Sequence, residues 1–160
     1  MRRYPLILLA ALLAVGALAQ SKPNFTGTWV LDPMLSRFGK DQEPKKGTLT
    51  IAHQEPKIRI DVDSVSNSGS DSKYTLELTT DGTENTTTIA GQSCVSTVNW
   101  GTRTGERLIW VMKCDGPKGP VTSTRQMKLG SNGKILTTVL TVKDSKGTQK
   151  ANEFYAAKSS

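Results

Sequence analysis

Few side chains in this sequence are equipped for covalent or metal chemistry, and they are scattered. His53 is the sole histidine, and Cys94 and Cys114 are the sole cysteines. No carboxylate stands at a metal-ligand spacing from His53, so no metal site is expected. His53 runs into Gln54-Glu55-Pro56, a turn, and reads as a solvated turn residue. No serine sits in a G-x-S-x-G elbow, and no glycine-rich phosphate loop is present. Asp61 and Asp63 alternate with Ile60 and Val62, which reads as an outer strand face rather than an acid–base pair. The chain therefore reads as a non-enzyme without catalytic residues or cofactor. The most informative side chain is Arg125, which falls in an apolar strand pattern. A buried guanidinium needs compensation. A ligand carboxylate would supply it with two-pronged geometry; so would an internal carboxylate such as Glu153, or a position at a solvated mouth.

The elements that must position these residues begin after an N-terminal leader. Arg2 and Arg3 precede an apolar run from about Pro5 to Ala19 that closes on Ala17-Leu18-Ala19. This three-part pattern is that of a secretory signal peptide, residues 1–19, with Gln20 as the expected mature N-terminus. The run is shorter than the roughly 20 apolar residues of a spanning helix. A secreted or periplasmic protein with no membrane span after cleavage is expected, in a compartment that permits a disulfide. The net charge of +7 is spread thinly, with Lys45-Lys46 as the one adjacent basic pair after the leader. Nucleic acid is accordingly not an expected partner.

Residues 20–160 read as one all-β domain. The 160 residues include 20 Thr and 14 Ser, an excess that suits strands. Ten short alternating runs are separated by turn signals: 25–31, 47–53, 58–65, 72–80, 83–90, 93–101, 106–114, 120–129, 134–143 and 148–156. The long connection from Asp32 to Lys46 carries Met34, Leu35 and Phe38 at helical spacing, as for a helical turn closing one end of a barrel. Each hairpin turn fixes a register. Asp81-Gly82 as a type I′ turn pairs Leu78 with Asn85, Leu76 with Thr87 and Tyr74 with Ile89. Gly91-Gln92 as a type II′ turn pairs Ile89 with Cys94 and Thr87 with Ser96. A loop at Arg103-Thr104-Gly105 pairs Cys94 with Cys114, Val98 with Trp110 and Trp100 with Leu108. Asn132-Gly133 pairs Leu129 with Leu136, Met127 with Thr138 and Arg125 with Leu140.

Together these registers put Tyr74, Leu76, Leu78, Ile89, Val98, Trp100, Leu108, Trp110, Met112, Met127, Leu129, Leu136, Leu140 and Val142 on one face. They also set Cys94 opposite Cys114, close enough to bond. Short connections make sequence neighbours sheet neighbours. The expected fold is an antiparallel up-and-down meander of 8–10 strands, long enough to close into a barrel.

Phe25-Thr26-Gly27-Thr28-Trp29-Val30-Leu31, on the first strand, resembles the G-x-W opening of the lipocalin-like (calycin) barrels. The likeness is closest to small exported lipocalin-like proteins of bacteria. In these families the glycine lets the chain bend and the tryptophan plugs one barrel end, which implies those roles for Gly27 and Trp29. A basic residue of the last strand packs over the tryptophan, and Lys150 is the nearest by register. The stretch after Leu31 is too short for the two-helix lid of fatty-acid-binding proteins. The long helix that follows vertebrate lipocalin barrels is absent. The resemblance implies a ligand inside the barrel.

The leading expectation is a non-catalytic binding protein for a small, largely apolar or amphipathic ligand. Trp100, Trp110 and Tyr74 would give contact surface and Arg125 a charge partner; Asn85, Thr87 and Ser96 add polar groups on the inner face. The alternative is an inhibitor or interaction module, or a homodimer, using an outer apolar patch of Ile109, Val111, Ile135 and Val139.

Overall fold

The computed structural model describes residues 22–39, 44–101, 105–116 and 119–158; the expected signal peptide lies outside them. Ten strands follow one another: β1 (Gly27–Leu31), β2 (Lys46–Gln54), β3 (Lys57–Val65), β4 (Asp71–Thr79), β5 (Asn85–Ile89), β6 (Gln92–Trp100), β7 (Arg107–Gly116), β8 (Gly119–Leu129), β9 (Ile135–Asp144) and β10 (Gly147–Ala157). Every expected strand is present, because the alternation of apolar and hydroxyl side chains is regular and turn residues interrupt it. The sheet runs β4-β3-β2-β1-β10-β9-β8-β7-β6-β5, antiparallel throughout. It rolls into a nearly closed up-and-down barrel, in which β1 meets β10 and β4 approaches β5 and β6.

Two hairpin registers came out as expected. Cys94 faces Cys114, Val98 faces Trp110 and Trp100 faces Leu108; Leu129 faces Leu136, Met127 faces Thr138 and Arg125 faces Leu140. The second turn is wider than a two-residue one: the Gly130 N–H donates to Ile135 O, and Gly133, not Asn132, takes positive φ. Two registers need correction. The tight turn between β5 and β6 is Ala90-Gly91, both at positive φ, rather than Gly91-Gln92. Ile89 therefore faces Gln92, and Thr87 faces Cys94. The slip is by two residues, so the inner face keeps its residues.

The larger correction is at Asp81-Gly82, which does not fold β5 back onto β4. Asp81 bridges to Asn99 of β6, and the Gly82 N–H donates to Val98 O at 3.0 Å. A side chain at position 82 would collide with Asn99, so the glycine serves close approach as well as its φ of 84°. The Asp81 carboxylate accepts from Thr79 Oγ1 and the Thr83 N–H, bonds that hold its pKa down at about 2. These contacts stitch the barrel at one end and leave a seam between β4 and β5.

Burial divides the interior. At the stitched end Phe25, Ile58, Val98, Leu108, Met127 and Leu136 are sealed from solvent, and Trp29 is buried among them with its Nε1–H on Phe25 O at 3.0 Å. Towards the other end the inward-facing Val62, Ile89, Met112, Val121, Leu140 and Val142 are only half-buried. One end is closed and filled; the lining of the other, the cup, keeps partial solvent access. The Cys94–Cys114 disulfide lies at the rim of the open end, joining β6 to β7.

Residues 33–35 make a single turn, closed by the Ser36 N–H on Asp32 O. Met34 and Leu35 point to solvent, and of the three spaced apolar residues only Phe38 packs on the core. Lys150 is exposed opposite Thr141, whereas Trp29 faces Ala157, so Lys150 does not cover the tryptophan. Asp61 and Asp63 are on the outer face, paired with Arg59 and Lys73.

Candidate functional site

The floor of the cup is built where β7, β8, β9 and β10 run side by side. Register sets Trp110 beside Arg125 and Thr138 beside Glu153, all inward. Arg125 Nη1 meets Glu153 Oε2 at 2.6 Å, with side chains 17% and 7% exposed. The same oxygen accepts from Thr138 Oγ1 at 2.6 Å and from Tyr155 Oη at 3.2 Å. Tyr155 Oη in turn accepts from Arg125 Nη1 at 3.3 Å. Trp110 turns its Nε1–H to Ser96 Oγ at 3.3 Å. Of the two internal answers to Arg125's charge, the structure contains the pairing with Glu153.

Burial disfavours the Arg125 charge, but Glu153, Tyr155 and Tyr74 together outweigh it, and the guanidinium holds its proton more firmly than usual. Burial pushes the Tyr155 hydroxyl up to about 12. Burial raises Tyr74 as well, and that hydroxyl, on β4, lies near enough to feel Arg125 and Glu153. One carboxylate oxygen carries all of Glu153's bonds. Among the described residues Glu153 Oε1, Arg125 Nε and Nη2, and Tyr74 Oη make none. No side-chain N or O that is shut off from solvent lacks a partner among these residues.

Arg125, Trp110 and Tyr74 thus come together, and Trp100 does not. Trp100 lies at the closed end, its Nε1–H on Glu55 Oε1 at 2.9 Å. His53 is there too, and it is no solvated turn residue: its side chain is 2% exposed. Its Nδ1 accepts the Phe25 N–H at 3.3 Å, which leaves the ring proton on Nε2, 2.9 Å from Glu55 Oε1. Thr80 Oγ1 and Lys22 Nζ complete the set around Glu55. Burial works against the Glu55 charge, but bonds from His53, Thr80, Lys22 and Trp100 together hold its carboxyl below the usual range. Sequence reading missed Glu55 and demoted His53, since their partners at 22, 25, 80 and 100 meet only when the barrel rolls up.

Ser96 is buried, while Asn85 and Thr87 are half-buried on the inner face. Of the outer apolar residues, Ile135 and Val139 are exposed and Ile109 and Val111 half-buried. Gln126 separates Ile109 from Val139, which breaks the patch.

No protein-family model and no curated protein matches the sequence. Among solved structures the chain resembles zebrafish ileal bile acid-binding protein in complex with cholic acid. The TM-score is 0.53 at 12% identity, over 84% of this chain and 98% of that one. At that identity the likeness concerns the fold, and the barrel described above is calycin-like.

Proposed function

We propose that this is an exported, non-catalytic binding protein that holds a small, largely apolar ligand in the open half of its barrel. The observation that carries this reading is the burial gradient. Inward-facing Val62, Ile89, Met112, Val121, Leu140 and Val142 keep accessible surface above a more deeply buried floor, and such concave apolar linings with a few convergent polar groups are what ligand sites look like. Trp110 and Tyr74 provide contact surface and Arg125 lies on the polar side of the floor. The calycin-like fold, and a bile acid-binding protein sharing it, support the same reading. Residues 1–19 would be removed on export.

Native mass spectrometry of protein purified from its own host tests this. Expected are a chain beginning at Gln20 and a bound small molecule lost on denaturation. Uptake of Nile red that Leu140→Trp abolishes would place the site in the cup. A ligand-free protein whose dye uptake ignores Leu140→Trp would overturn the reading.

A further inference from the structure

The floor's charge balance specifies what the ligand's polar end must be, provided the cup is the binding site as proposed above. The sequence left Arg125 open between a ligand carboxylate, an internal carboxylate such as Glu153 and a solvated mouth. In the structure that guanidinium is already neutralised, by Glu153 at 2.6 Å. A second carboxylate entering the floor would set two negative charges against one positive charge, in a place with little water to screen them.

What remains without a partner on the floor, among the described residues, is mixed. Glu153 Oε1 is a strong acceptor on a side chain only 7% exposed. Arg125 Nε and Nη2 are donors, and Tyr74 Oη can do either. A ligand end that seals the floor must therefore both donate and accept, without bringing charge. A purely apolar end would strand these groups without water, which costs more than the bonds it avoids.

We propose that the cup selects an apolar molecule ending in an uncharged group that both donates and accepts hydrogen bonds, an alcohol or a primary amide, over the corresponding carboxylate. The hydroxyl or amide N–H donates to Glu153 Oε1, and its oxygen accepts from Arg125 or Tyr74. Dodecan-1-ol, dodecanamide and dodecanoate share a chain and differ only in this end.

The experiment is displacement of Nile red from the full oxidised protein by each of the three at pH 8, where dodecanoate is charged. The alcohol and amide are expected to bind at least about tenfold more tightly than dodecanoate. Glu153→Gln removes the negative charge and is expected to reverse that order. The wild-type ranking stands as a test even where that variant fails to fold. Dodecanoate binding as tightly as the alcohol would overturn the inference and leave the cup reading standing. Displacement by none of the three would overturn both.

Discussion

Each end of the barrel gathers its polar groups around one glutamate, and the two glutamates are used differently. At the closed end Glu55 spends both oxygens: Oε1 on His53, Thr80 and Trp100, Oε2 on Lys22 and Thr80. At the cup floor Glu153 concentrates Arg125, Thr138 and Tyr155 on Oε2 and leaves Oε1 without a partner among the described residues. The difference is not one of burial, since the exhausted carboxylate is the more exposed, at 37% against 7%. It is one of leftover valence. A saturated hub closes a structure; a half-used hub leaves an acceptor that the proposed guest would take up.

Deleting the two hubs should separate them most widely. Glu153→Ala strands the buried Arg125 charge and is expected to cost about 3–5 kcal/mol in denaturant unfolding, most of it recovered by adding Arg125→Met. Glu55→Ala removes a carboxylate that is itself partly exposed and strands no buried charge, so it should cost only about 1–2 kcal/mol. Equal losses would erase the distinction. Packing should differ next: Ile58→Ala in the sealed end should cost about 3–4 kcal/mol, and Leu140→Ala on the half-buried cup wall about 1 kcal/mol. A cup wall as sensitive as the sealed end would mean that the cup is filled.

Reducing the Cys94–Cys114 bond, which spans 20 residues, should cost about 3 kcal/mol. Because it sits at the rim, reduction is also expected to weaken Nile red binding, whereas Ile58→Ala should spare the affinity of the folded fraction. The smallest effects are in pH. Glu55 is lowered in the folded state, so its share of stability is present above pH ~4.5 and fades as the carboxyl protonates below that. Tyr155 is raised to about 12, so its share is present below pH ~10 and is lost as the solution passes from there towards 12. Unfolding midpoints should then respond to acid through Glu55→Gln and to alkali through Tyr155→Phe. Tyrosine absorbance that titrates fully near pH 10 would refute the second.

Much of this architecture was legible because it is local. Strand length, alternation and the turns near Gly105 and Gly133 were enough to set Cys94 against Cys114 and to turn Arg125 inward. Glu153 emerged as an alternative partner because Arg125 could not stay unpaired. What could not be read depends on closure. Asp81-Gly82 has the composition of a tight hairpin, yet its partner is Asn99, brought near only by the rolled sheet. Ala90 at φ 49° is an unusual residue for its turn, and nothing nearby in sequence announces it. Trp100 shares a face with Trp110 but belongs to the other end, because face is a matter of parity and depth a matter of where along the strand the fill stops.

The unstitched run between β4 and β5 gives the wall a freedom that a continuous hoop lacks. In a fully laddered barrel, strand number and shear set the girth. Here the lacing stops after Asp81 and Asn99, so the vessel is a scroll pinned at its base, able to loosen at the lip. In the proposed binding role, the breadth of guest would be governed by how far that lip opens, while the base keeps its calibre.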